Sequence, residues 1–396
     1  MTSARQTGWR AALLAGAALC ASTPAAVKTK LTQLPPYAGA YQPQGVDERG
    51  IWMQADEEER QLRDSKFVLH DVALEGYVHQ VLCNAVGADR CRGVRLYIVR
   101  VPYFNASMAP NGTMRVWTGL LLRVRTEAEL AAVLGHEFAH FEERHTLASF
   151  RHQRAATDVV AWASFLGSGA PAVQQIAIGS IFSFSREQEK QADIRAFDYL
   201  AASQYRAEAG AEIWDRQMDE ADATAAGRSQ RSQRYDRVAF FADHPTSLER
   251  AKYLHTLATK EGNEGEDGEA AYAAALSKWR GEFLDDQLKL NDFAGTEFLL
   301  SQLAKNGWTG DLLFARGELY RLRGNPRDLV AAAQFYRDAL AKGSADPLVH
   351  RSLGMVLLRS ASPAEGCSEL KQYLALRPDA SDASMVATLI DQSSTN

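Results

Sequence analysis

One short run in this chain of 396 residues carries the side chains for metal chemistry: His136, Glu137, Phe138, Ala139, His140. Histidines four apart on a helix project from one face, so both imidazoles can hold one ion. Glu137 beside them lies within reach of a water that the ion activates. A hydrolytic zinc site needs a third protein ligand and a fourth position left for water, whereas a structural site is closed. The run SREQEKQADIRAFDYLAAS, from Ser185, reads as a second helix on which Glu189 and Asp193 share a face. Glu189 is the expected third ligand, since Glu187 points away from Asp193. Asp193 is suited to hydrogen-bond the distal nitrogen of a ligating histidine, which fixes the tautomer and strengthens the donor. One Zn2+ per chain is expected. His70, His79, His145, His152 and His255 lack a comparable constellation and read as ordinary helix or surface residues; His145, five past His140, points off the ligand face.

These side chains need helices to position them. TEAELAAVLGHEFAHFEERH offers Thr126 as N-cap and Glu129 for a capping box, with Leu130, Val133 and Leu134 on one buried face. Residues 27 to about 50 look irregular, and about 53 to 84 reads as helical with an acidic beginning. A strand is predicted at RLYIVR, where Leu96 and Ile98 alternate with Arg95 and Tyr97, and a second near Met114 to Trp117. Turns fall at Asn105 and at Asn111-Gly112. The fold class is mainly α with a small β-sheet, and the strand near Met114 to Thr118 is expected to align an extended substrate.

Composition bounds the function. Lys and Arg number 44 against 49 Asp and Glu, a net charge of −5, and 46% of residues are hydrophobic. That suits a globular chain of more than one domain and excludes the basic stripe of a nucleic-acid binder. Arg5 and Arg10 precede an apolar run and small residues through Ala26, the pattern of a cleaved signal peptide. The chain is therefore read as periplasmic or otherwise secreted, with lipid anchoring at Cys20 as the lesser reading. The apolar segment from Ala161 is interrupted by Pro171, Gln174 and Gln175 and suits peripheral membrane contact or core packing better than a span. In an oxidising compartment Cys83 and Cys91, eight apart across a polar turn, are expected to form a disulfide, with Cys367 left unpaired.

The chain resembles the M48 family of zinc metallopeptidases. The resemblance is carried by HEFAH at His136 to His140, SREQEKQAD at Ser185 to Asp193, FNASMAPNGTMRVWTGLLL before the first helix, and DHPTSLER at Asp243 to Arg250. It implies an α+β zincin catalytic domain with His136, His140 and Glu189 on zinc, Glu137 as catalytic base and Asp193 behind the ligands. It adds two residues that spacing does not reach. His244 is expected near the metal cleft, as an oxyanion donor or on a loop that blocks the resting site, and Arg250 is expected to orient an acidic neighbour or a substrate carboxylate.

Beyond about 260 an acidic stretch, KEGNEGEDGEAAYAAAL, reads as a solvated linker leading into a helix. Two helix-turn-helix units follow: Gly317 and Gly354 stand 37 apart and Leu340 and Leu374 stand 34 apart, a spacing that resembles tetratricopeptide repeats. The organisation expected is signal peptide 1–26, irregular segment 27–55, M48-like domain 56–260, linker and connecting helices 261–310, and repeats 311–390. The function expected is a zinc metalloendopeptidase acting on secreted or misfolded envelope proteins, with a polypeptide as substrate and envelope or outer-membrane assembly proteins as partners of the repeats. The alternative is a metal-dependent chaperone or assembly adaptor of the periplasm with little or no proteolysis.

Overall fold

The computed structural model describes residues 34–165, 184–232, 248–359 and 362–394, without the side chains of 156–165 and 394. The segment read as a leader through Ala26 (with Cys20), residues 166–183 of the apolar segment, and His244 lie outside the described residues.

The region read as one helix over about 53 to 84 is two: α1 (Gly45–Arg63) and α2 (Val72–Val86). The break has a local cause. Leu69 N–H donates to the Ile98 carbonyl at 2.8 Å and Arg100 N–H to the Phe67 carbonyl at 2.7 Å, so residues 67–69 are drawn to the sheet margin. Asp71 then restarts the helix by accepting from the Ala73 and Leu74 amides. Helix α1 also begins inside the segment expected to be irregular. Helix α3 (Ala88–Cys91) leads into the sheet, and the disulfide between Cys83 and Cys91 ties it to the end of α2.

The strands are β1 (Arg95–Val99), β2 (Ala106–Met108) and β3 (Thr113–Trp117), in the order β1-β3-β2. Strand β3 pairs parallel with β1 (Ile98 beside Val116) and antiparallel with β2 (Met108 beside Met114). Both of its edges are therefore occupied, which corrects the expectation that the Met114 to Thr118 strand receives substrate. Strand β2, too short for a sequence signal, is the outer strand on that side. Glu59 fastens α1 to the sheet: its carboxylate accepts from Arg95 Nε and Nη2 at 2.6 Å and from the Tyr97 hydroxyl at 2.9 Å.

Helix α4 (Thr118–Arg123) leads into α5 (Glu127–Glu142), which carries HEFAH. Thr126 caps α5 by accepting from Glu129 N–H, but the Glu129 carboxylate returns to the amide of Arg125, one residue before the cap. Every residue from Ala128 to Phe141 is buried, so α5 is a central helix enclosed on all sides and not one with a single apolar face. Helix α6 (His145–Phe165) follows after Arg144, whose φ of 57° turns the chain sharply. Helix α7 (Arg186–Ala201) starts with a complete capping box between Ser185 and Gln188. It packs on α5, where a Cβ on Gly135 would lie only 3.5 Å from the Tyr199 ring and 3.8 Å from Ala196. Helices α8 (Ala209–Gly227) and α9 (Leu248–Glu261) close the site side.

The acidic stretch after α9 keeps its charges largely exposed, as expected, but its backbone is not free. Asn263 Oδ1 accepts from Ala207 N–H at 3.0 Å, its Nδ2 donates to the Tyr205 carbonyl at 3.0 Å, and Glu266 pairs with Tyr205 as an isolated bridge. The remaining chain is helical: α10 (Glu269–Leu276), α11 (Arg280–Leu288), α12 (Phe293–Leu303), α13 (Gly310–Arg323), α14 (Pro326–Ala341), α15 (Leu348–Leu358), α16 (Pro363–Leu376) and α17 (Ala383–Ser394). Phe283, Leu299, Leu300 and Leu312 extend the main core into this region. Successive helices pack as neighbours, α13 on α14, α14 on α15, α15 on α16 and α16 on α17. Gly324 (φ 75°) ends α13 and Pro326 starts α14, so a glycine and a proline two residues apart, itself a local turn signal, mark the break between the two helices. The molecule is mainly helical, with a small open sheet early in the chain and an extended helical region after it. No helix among the described residues is long and apolar enough to cross a membrane.

Candidate metal centre

Helix α5 brings His136 Nε2 and His140 Nε2 within 3.1 Å of each other. From α7, Glu189 Oε2 lies 3.5 Å from His136 Nε2 and Glu189 Oε1 lies 3.7 Å from His140 Nε2. All three residues are buried. A tetrahedral zinc with bonds of roughly 2.0–2.1 Å has ligand atoms about 3.3 Å apart. The observed triangle fits that requirement, and its two imidazoles and one carboxylate suit zinc. Glu137 is buried on the same helix, adjacent to His136.

Behind the ligands stands a second layer. Asp193 Oδ1 is 2.9 Å from His136 Nδ1, so the carboxylate predicted to orient a histidine faces the first one. Arg250 from α9 donates Nε and Nη2 to the two Asp193 oxygens at 2.7 Å each, and its Nη1 lies 3.0 Å from Glu189 Oε2. Of the two expectations for Arg250, the geometry matches an arginine that holds acidic neighbours. Its guanidinium lies 4.5 Å from the Trp214 ring centre, and the Tyr253 hydroxyl donates to Asp193.

The electrostatics follow from this packing. Burial presses the His136 imidazole toward neutrality, but the Asp193 and Glu189 carboxylates outweigh it and hold the group up at about 9. Burial also opposes ionisation of Asp193, yet Arg250 and His136 keep its carboxyl well below the usual carboxylate range. Arg250 with the Asp193 and Glu189 carboxylates is thus a buried set of opposite charges held at hydrogen-bond distance.

Two contacts were not legible in the spacing. His145, expected to point away, is buried with Nδ1 2.9 Å from His140 Nδ1 and Nε2 3.2 Å from Gln191 Oε1. The left-handed turn at Arg144 reverses the helical rotation assumed for it and folds His145 back over the site. Burial pushes this imidazole down, toward the neutral form that can pair nitrogen to nitrogen. Phe184 stacks on His140 with ring centres 4.0 Å apart. A third histidine soon after HEFAH was the available signal for His145; for Trp214 and Phe184 the sequence offered none.

Residues 73–258 match the model for peptidase family M48, and this span is an M48 peptidase domain with a His-His-Glu metal-binding triad. The chain is 30% identical over 182 residues to the mitochondrial metalloendopeptidase OMA1 of Schizosaccharomyces pombe, covering 45% of this chain and 51% of that one. It is 29% identical over 177 residues to a putative beta-barrel assembly-enhancing protease of Vibrio cholerae, covering 41% and 36%. With the metalloprotease LoiP of Escherichia coli it shares 25% identity over 188 residues, covering 46% and 69%. The chain thus spans about half the length of the first of these relatives and about a third of the second.

Proposed function

We propose that the protein is a secreted, periplasmic zinc endopeptidase that hydrolyses peptide bonds of secreted or misfolded envelope proteins. The observation that carries this reading is the buried triangle of His136, His140 and Glu189 with Glu137 adjoining it on the same helix. When bound, zinc would lower the pKa of a water and polarise the scissile carbonyl. Glu137 takes the proton from the attacking water and passes it to the leaving amine nitrogen. Asp193 fixes His136 with Nδ1 toward the carboxylate and Nε2 toward the ligand triangle, and His145 does the corresponding work for His140. Arg250 is a positioning residue, since its donors face Asp193 and Glu189. His244 is proposed as the donor to the oxyanion. Strand β2 is the sheet margin at which an extended substrate would be held.

The tail over 311–390 is proposed as a tetratricopeptide-like partner surface. The name of the Vibrio cholerae relative favours a partner from outer-membrane assembly. The reading is tested by metal analysis together with hydrolysis of an unfolded polypeptide, with and without a chelator, and by co-purification on the Glu137→Gln chain. Chelator-sensitive cleavage and a captured polypeptide are expected. Full zinc occupancy with a captured polypeptide and no cleavage would instead favour the chaperone or adaptor.

A further inference from the structure

The histidine next to the disulfide has no part in the centre described above. His79 lies one helical turn before Cys83 on α2, the same i and i+4 relation that joins His136 to His140. Its Nδ1 is 3.5 Å from Cys83 Sγ, and its Nε2 is 3.3 Å from the Cys91 carbonyl oxygen. A carbonyl only accepts, so the hydrogen-bonded tautomer carries its proton on Nε2 and turns the Nδ1 lone pair toward the sulfur. The ligand atoms of His79, Cys83 and Cys91 all lie within 4.8 Å of one another.

We propose that reduction of the Cys83–Cys91 disulfide creates a second metal site, with His79 Nδ1 and two thiolates as ligands and zinc as the ion it suits. Two sulfurs and one imidazole form a soft, zinc-selective set, and water completes four-coordination. The chemistry balances as two steps. An external dithiol supplies two electrons and two protons and is itself oxidised to a disulfide, while the Cys83–Cys91 bond breaks and two S–H bonds form. The divalent ion then displaces both thiol protons, which leave to solvent. Cys91 is buried, but Cys83 and His79 are half-buried, so a small dithiol has access from the Cys83 side. The sulfurs must separate from bonding distance to about 3.8 Å, the spacing for two thiolates on one zinc with bonds near 2.3 Å. The Cα atoms stand 5.2 Å apart, and turning the half-buried Cys83 side chain provides that separation. The consequence is that α2 stays fastened to α3, just ahead of β1, in both states: by a covalent bond when oxidised and by metal when reduced.

The full chain tests this by titration with Zn2+ and Co2+, before and after treatment with a dithiol that is then removed without air. The expected result is one additional metal per chain after reduction only, with a thiolate-to-cobalt charge-transfer band in the near ultraviolet. Cys83→Ser should lose both the increment and the band, and His79→Ala should weaken the additional binding about tenfold or more. Circular dichroism of each sample reports folding. The proposal is overturned if oxidised and reduced chains bind the same amount of metal. It also fails if the increment survives intact in Cys83→Ser, or if the reduced chain loses its helical signal in the presence of zinc.

Discussion

The helices that carry the His-His-Glu cluster and the C-terminal helices solve the same problem, packing one helix closely on another, with opposite chemistry. Between α5 and α7 the contact is polar: His136 and His140 face Glu189 and Asp193 across distances of 2.9–3.7 Å, all four buried, and Arg250 of α9 adds its charge against both carboxylates. Between α13 and α14, and again between α15 and α16, it is built from size. A Cβ on Gly317 would lie 2.4 Å from the Tyr336 ring, and one on Gly354 would lie 2.7 Å from Leu370. The two glycines read as equivalent in the sequence thus do the same job, each admitting a large side chain of the partner helix. Where charges make the contact, a substitution of equal shape should abolish function without unfolding. Where size makes it, a single carbon should lower stability without touching the chemistry.

The sharpest test of the first half is Glu137→Gln, which keeps the volume and removes the base. Peptide hydrolysis should fall by about 10²–10⁴-fold while zinc content and thermal midpoint stay unchanged; a variant with near-normal turnover would break the comparison. Acid provides the next test. Arg95 above all, with Thr113 and Tyr97, depresses the Glu59 carboxyl from 4.5 to about 2. A depressed folded-state value means stability present above 4.5 and lost progressively as pH falls toward 2, worth about 1–2 kcal/mol once solvent screening at the half-exposed Arg95 is allowed for. Unfolding in urea from pH 6 to pH 2.5, followed by far-ultraviolet circular dichroism, should show this loss, and Glu59→Gln should flatten it.

Asp193→Asn comes third. It preserves shape but removes the charge facing His136 Nδ1 and Arg250, so zinc affinity should drop about 10–100-fold in a competition titration with a chromophoric chelator. Unaltered affinity would mean that the second layer is only packing. The last test belongs to the tail. Gly317→Ala would ordinarily strengthen a helix interior by about 1 kcal/mol, but the Tyr336 ring reverses the sign. A net loss of about 1–3 kcal/mol is expected in chemical denaturation, with zinc content and cleavage of a short peptide intact. A stabilised Gly317→Ala chain would erase the distinction between the two regions.

The sequence by itself determined the ligand set, because helical periodicity places His136 with His140 and Glu189 with Asp193 on shared faces whatever surrounds them. It also determined the Cys83–Cys91 pairing, strands β1 and β3, the turn at Gly324 to Pro326, and the small positions at 317 and 354, since each rests on neighbours within a few residues or on a local backbone preference. What only the tertiary structure decided depends on contacts between distant segments. Pairing of Phe67 and Leu69 with the end of β1 cut one expected helix in two. Burial on every side of α5 concealed the single apolar face that its sequence suggested. The left-handed turn at Arg144 sent His145 onto His140, against the rotation of a continuing helix. Asp193 was legible as an orienting carboxylate, but its choice of His136 was decided by the packing of α7 on α5, and the place of Arg250 beside Asp193 and Glu189 by the packing of α9 on α7. Periodicity reports which side chains share a face; it does not report what that face meets.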